Sequence, residues 1–156
     1  MKGPKPERAS QRRTTPTDLP ASDVSPERRR NMQAIRSGDT KPEIAVRKLL
    51  HRLGYRFRLR RLDLPGKPDI VLPRHRLAVF VHGCFWHSHD CKRATMPKTR
   101  TEFWEAKLTA NVARDTRVIE ALRELGWRTV VIWECEIGDH QLISHRITAA
   151  LASGKS

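Results

Sequence analysis

The chain has 156 residues, with 31 Lys and Arg against 17 Asp and Glu, a formal charge of +14. That length fits one ordinary domain, and no apolar run reaches the roughly 18 residues of a membrane span, so no membrane partner is expected. The first 30 residues hold 8 Lys and Arg against 4 Asp and Glu, leaving +10 for residues 31–156, so the basic excess belongs to the folded part and points to nucleic acid.

Taken in chain order, residues 1–24 are Pro, Ser, Thr and charge with few large apolar side chains, which predicts a disordered basic, Pro-rich tail. They lack the apolar h-region of a secretory signal, and a cytoplasmic protein is expected. Residues 25–153 form the expected single domain. Ser25-Pro26-Glu27 reads as a helix start, opening a short basic helix to about Ser37. Thr40-Lys41-Pro42-Glu43 reads as a capping box. It opens a helix with Val46, Leu49, Leu50 and Leu53 on one face, ended by Gly54. Tyr55, Phe57 and Leu59 alternate with Arg56 and Arg58, as in a strand buried on one face.

After the loop Leu64-Pro65-Gly66-Lys67-Pro68 comes Asp69. Ile70–Leu72 and Leu77–Val81 are two strands of a hairpin turning at Pro73-Arg74-His75-Arg76. Thr101 caps a long helix to about Leu125, closed by Gly126. Thr129–Trp133 is an apolar strand expected to be buried on both faces, reached by a helical crossover. Asp139–Leu151 is a last helix facing inward through Leu142, Ile143, Ile147 and Ala150. The order α-β-β-β-α-β-α predicts an α/β fold, a mixed central sheet flanked by helices on both faces.

Three cysteines in a reducing compartment suit metal ligation or burial better than disulfides. Cys84, His89 and Cys91 share one loop in C-x4-H-x-C spacing, and Cys135 follows the last strand. Together they offer three thiols and an imidazole, a closed set for structural zinc (Zn2+). His87 is an alternative histidine ligand, and buried free thiols are the plainer explanation.

His82 and His87 lie close together near the end of an apolar strand, and Asp69 starts its neighbour. A carboxylate so placed, with a backbone carbonyl or second acid, suits magnesium, a hard cation that orients a phosphate, although Asp69 taken alone reads more simply as a turn or strand-start carboxylate. On the long helix Trp104, Leu108, Val112, Asp115, Ile119 and Leu122 share one face. Asp115 interrupts that stripe and needs a partner. A histidine would make an acid–imidazole dyad, and Arg114, Arg117 or a more distant arginine would make an ordinary ion pair. Phe85, Trp86 and Trp104 are either a wedge between base pairs or a small satellite core.

Several stretches together resemble the very short patch repair (Vsr) DNA mismatch endonucleases. They are Pro65-Gly66-Lys67-Pro68-Asp69, Val79 to Cys91, Thr99-Arg100-Thr101-Glu102-Phe103-Trp104, Asn111-Val112, Arg114-Asp115, and Gly126-Trp127 with Val131 to Cys135. Asn31-Met32 with Ala34-Ile35 fits as well, and the match runs from about residue 28 to 137. The resemblance implies a restriction-endonuclease-like fold and a nucleoid-associated, monomeric enzyme with possible repair-protein contacts. It further implies nicking 5′ to the thymine of a T:G mismatch in double-stranded DNA, left by deamination of 5-methylcytosine.

The resemblance also implies the site. Asp69 and the Val81 backbone carbonyl would bind catalytic magnesium (Mg2+), and His87, oriented by Asp115, would activate water. His82 would assist at the phosphate or leaving group, with Glu43 in the metal's outer shell. Cys84, His89, Cys91 and Cys135 match zinc ligands. Phe85, Trp86 and Trp104 match an intercalating wedge, and Asn31 and Met32 match an element that grips DNA. The Glu-x-Lys found after Pro-Asp in many nucleases is replaced by Phe80-Val81-His82. Competing expectations are a nuclease without mismatch preference and a zinc-stabilised nucleic-acid-binding module without catalysis.

Overall fold

The computed structural model describes residues 38–153, so the tail, the helix expected to Ser37 and the DNA-gripping Asn31 and Met32 lie outside the described residues. Helix α1 (Lys41–Arg52) begins where the capping box predicts. Thr40 Oγ1 accepts from the Glu43 N–H at 3.4 Å and donates to Glu43 Oε1 at 3.1 Å. The reciprocal arm differs from the expectation, because Glu43 Oε2 accepts from the N–H of Asp39, at 2.9 Å. Val46, Leu49 and Leu50 are buried, whereas Leu53, expected on the same face, is 45% exposed.

Strand β1 is only Arg58–Leu59. Tyr55 and Phe57 pack on the core, but Leu59 is exposed, so the alternation expected from Tyr55 to Leu59 buries its apolar face only at its start. β1 pairs antiparallel with β2 (Ile70–Leu72), which pairs antiparallel with β3 (Leu77–His82). The turn is a short 3-10 segment, Pro73–His75, closed by Arg76 in the left-handed region at φ 45°.

Helix α2 (Thr101–Glu124) starts one residue earlier than its expected cap implies. Arg100, left-handed at φ 54°, holds the cap position and makes no side-chain cap bond. Of the stripe proposed for α2, only Leu108 and Leu122 are buried, and Val112 is exposed. Gly126, at φ 75°, ends the helix as expected.

The crossover returns the chain as β4 (Arg128–Trp133), parallel to β3 with Val79 opposite Val130 and His82 opposite Trp133. The expectation of burial on both faces is corrected: Val130 and Ile132 are buried, and their neighbours are half-exposed. A 3-10 turn at Glu134–Glu136 leads to α3 (His140–Ala152), capped by Asp139 accepting from the Leu142 N–H at 2.9 Å.

The sheet order is β1-β2-β3-β4, mixed, with helices on both faces. On one side α1 and α3 close over Ile70, Leu72, Leu77, Val79, Val130 and Ile132. On the other, Leu122 and Val118 of α2 pack with Leu64, Val71, Ala78 and Phe80. These two apolar layers, removed from water on both faces, are the main favourable term holding the site's strands in place. Among the described residues no helix is long and apolar enough to cross a membrane.

Candidate active site and metal centre

The backbone aims Asp69 before its side chain makes any contact. Gly66 and Lys67 are both left-handed, at φ 69° and 49°. A Cβ on Gly66 would stand 2.2 Å from Val118 Cγ1, so the loop's close approach to α2 requires glycine. The chain then straightens through Pro68 into β2. Asp69 Oδ2 accepts from the Val81 N–H at 2.7 Å, across the hairpin. Burial pushes the Asp69 carboxyl up to about 6, against the pull of the Val81 N–H; Glu43 raises it further, while Arg47 and His87 lower it.

Four groups therefore act electrostatically on Asp69, and Glu43 and His87 were expected there. Arg47 was not. It lies four residues after Glu43 on α1, within helical reach, and its Nη2 donates to Glu43 Oε2 at 2.9 Å while Nη1 donates to Asp39 at 2.6 Å. Glu43 is 6% exposed, and both of its oxygens are engaged by Thr40, Asp39 and Arg47.

His82, His87 and Asp115 converge at the end of β3. Their ligating atoms lie within 4.8 Å of one another. His87 Nδ1 stands 2.5 Å from Asp115 Oδ2. A carboxylate only accepts, so Nδ1 carries the hydrogen and the neutral ring keeps its lone pair on Nε2. Arg114 is also near, with Nη2 at 3.9 Å from the other Asp115 oxygen, so the arginine alternative is the weaker of two contacts. The His82 and His87 rings stack at 3.7 Å and 8°. Burial lowers His82 to about 4, helped by the neighbouring His87 and opposed by Asp115, so near neutrality His82 is an uncharged ring.

A second cluster follows on the same loop. Cys84, His89, Cys91 and Cys135 bring their ligating atoms within 4.8 Å of one another, with Cys135 Sγ 3.5 Å from His89 Nδ1. His87 falls instead in the first cluster, so His89 is the histidine that lies beside the three thiols. The loop is wound for this: His89 N–H donates to the Cys84 carbonyl at 2.9 Å and Cys91 N–H to the His89 carbonyl at 2.9 Å, with Ser88 left-handed. Burial and the neighbouring cysteines hold the Cys84 thiol up at about 12. For Cys91 burial also raises the thiol, but the Arg93 N–H, His89 and the other two cysteines bring it down to about 7. Three thiols and one imidazole closing on a point fit a tetrahedral metal such as zinc.

The aromatic residues form one half-buried group. Phe85 meets Trp86 at 5.1 Å and Trp104 at 5.4 Å, and Phe103 joins Trp104 at 5.3 Å. Lys107 sits 5.9 Å from the Trp86 ring. Asn111, one turn further along α2, donates from Nδ2 to the Trp86 carbonyl at 3.0 Å. That bond ties loop to helix and was not foreseen from the residues themselves; Asn111 entered only through the resemblance.

Residues 22–93 match the family described as DNA mismatch endonuclease Vsr. Over 125 residues the chain is 45% identical to DNA mismatch endonuclease Vsr of Escherichia coli, covering 80% of each. The chain belongs to the Vsr family. It is also 55% identical to Type II nicking enzyme V.XorIIP of Xanthomonas oryzae pv. oryzae, over 80% of this chain and 92% of that one. Identity to Type II nicking enzyme V.NmeAIP of Neisseria meningitidis is 41%, over 74% and 83%. Membership of the Vsr family makes DNA the substrate class, in keeping with the basic excess.

Proposed function

We propose that this chain nicks one strand of double-stranded DNA 5′ to the thymine of a T:G mismatch, by magnesium-dependent phosphodiester hydrolysis that initiates very short patch repair. One observation carries the reading: His87 and Asp115 meet at 2.5 Å, with the His82 ring stacked flat on His87. A zinc-stabilised binding module without catalysis would have no use for that arrangement.

Asp69 and the Val81 carbonyl are the oxygens that would hold magnesium, which when bound supplies a Lewis acid at the scissile phosphate. His87 Nε2 takes a proton from the attacking water, and Asp115 holds the ring in that tautomer and stabilises it once protonated. His82 assists at the phosphate or leaving group as an N–H donor. Glu43 stands in the outer shell, and Arg47 fixes its carboxylate. Two imidazoles and a carboxylate are also a ligand set that suits a transition metal. The 2.5 Å bond between His87 and Asp115 favours the acid–base role, because it occupies one donor atom of each.

Cys84, His89, Cys91 and Cys135 hold structural zinc, tying the loop to the end of β4. Phe85, Trp86 and Trp104 enter the duplex at the mismatch, where unstacking costs least. The mixed sheet with Asp69 just before β2 supports a restriction-endonuclease-like core; the enzyme acts as a monomer and meets repair proteins.

The test is a panel of a T:G duplex, its T:A counterpart and the single strands, each with magnesium or EDTA. A magnesium-dependent nick confined to the T:G duplex is expected. Equal cutting of all duplexes would leave a nuclease without mismatch preference, and binding without cutting would leave a binding module.

A further inference from the structure

One indole stands between the two clusters and takes no part in the chemistry above. Trp133 ends β4 directly opposite His82 of β3. Its ring lies flat on His89, at 4.2 Å and 11°. It meets His82 at 5.5 Å and 74°, nearly edge on. His82 is bounded on another side by Phe80, at 5.7 Å, and lies flat on His87 at 3.7 Å. The backbone of Trp133 is held at the same point: its N–H donates to Glu136 Oε2 at 3.1 Å, and Arg146 anchors Glu136 at 2.7 Å.

Ring contacts thus run without a break from His89 through Trp133 and His82 to His87 and on to Asp115. A metal that ligates an imidazole fixes the plane of that ring. A plane stacked flat on it cannot tilt without opening a gap and losing contact across a whole face. His82 is in turn confined by the Trp133 ring, by Phe80 and by the flat face of His87. Packed interiors transmit such constraints because they have few alternative arrangements.

We propose that Trp133 is a positioning residue that passes the ring orientation imposed on His89 by a metal at Cys84, His89, Cys91 and Cys135 to the His82–His87 pair. The proposal rests on the nicking activity argued above and adds to it that occupancy of the metal centre governs the rate of nicking as well as the fold. Removing the indole then damages turnover while metal and DNA still bind.

The experiment compares zinc-loaded wild type with Trp133→Leu and Trp133→Phe by zinc content, affinity for a T:G duplex, single-turnover nicking, and NMR of the histidine rings. Trp133→Leu should keep its zinc and bind DNA within about 2-fold of wild type. It should nick about 10-fold or more slowly, as a displaced catalytic ring does, with the His82 and His87 signals broadened. Trp133→Phe retains a flat face for His89 and should lose only about 3-fold. Exchanging zinc for the larger cadmium should shift the His82 and His87 signals in wild type and leave them still in Trp133→Leu.

Wild-type nicking and sharp signals in Trp133→Leu would overturn the proposal. So would loss of zinc with undisturbed His82 signals, which would make the indole packing for the metal cluster alone. If Trp133→Leu does not fold, Trp133→Phe decides: wild-type rate and signals overturn the inference, and a slower rate with broadened signals supports it. A wild type inert on every DNA would refute the nicking activity itself, while the cadmium-dependent ring signals would still decide the relay.

Discussion

Asp69 carries opposite demands. Its carboxyl sits at about 6 instead of the ordinary 3.8, chiefly because it is buried. In the folded chain it keeps a proton through a pH window where the unfolded chain has lost it, so its contribution to stability is lost as pH rises through that window. Above pH 6 the buried charge is a standing cost. Asp69→Asn should therefore raise Tm of the metal-free protein near neutral pH, with a gain that shrinks toward about pH 4. The same substitution should slow nicking by about 10²-fold or more, since it removes a charged metal ligand. In wild type, nicking should fall as pH drops below about 6, and more magnesium should move that fall to lower pH by competing with the proton. A midpoint indifferent to magnesium would take Asp69 out of the metal site. Asp115 stood out in the sequence because it interrupts an apolar stripe, whereas Asp69 alone reads as an ordinary strand-start carboxylate and drew notice only through the residues around it and the family resemblance. Arg47 did not stand out, because an arginine four residues after a glutamate on a helix is ordinary until something buried lies beside it.

Among the elements, the loop after β3 and helix α2 contribute most to the site. The C-x4-H-x-C spacing made the thiol–imidazole loop readable, and Cys135 completes the cluster from beyond β4. Cys135→Ser should lower zinc content and Tm together, by at least about 5 °C, because metal binding is also folding energy here. A fully loaded variant with an unchanged Tm would remove Cys135 from the set. The elements were less legible where periodicity was the only signal. The α2 stripe correctly turned Asp115 toward the site, yet Val112 on the same stripe is exposed while Val118, off it, packs on Phe80 and Leu122. A helix that crosses one end of a small sheet buries only the turns that meet it. For the same reason β1 is shorter than its alternation suggested: past Phe57 no layer remains to cover Leu59.

At the scale of the molecule, the mixed sheet with helices on both faces was readable from element order, since a parallel strand needs a crossover. The juxtaposition of the two clusters was not, because spacing along a chain says nothing of which strand end meets which loop. The β3–β4 register supplies it by placing His82 opposite Trp133. In the proposed site, residues of two separate elements act as one catalytic unit. His87 on the loop and Asp115 on α2 are 28 residues apart and meet at 2.5 Å. The most direct measurement is single-turnover nicking of a T:G duplex by His87→Ala, Asp115→Ala and the double variant. Each single change should cost about 10²-fold or more, and the double change little beyond the worse of the two. Losses that multiply independently would contradict the dyad and the site built on it.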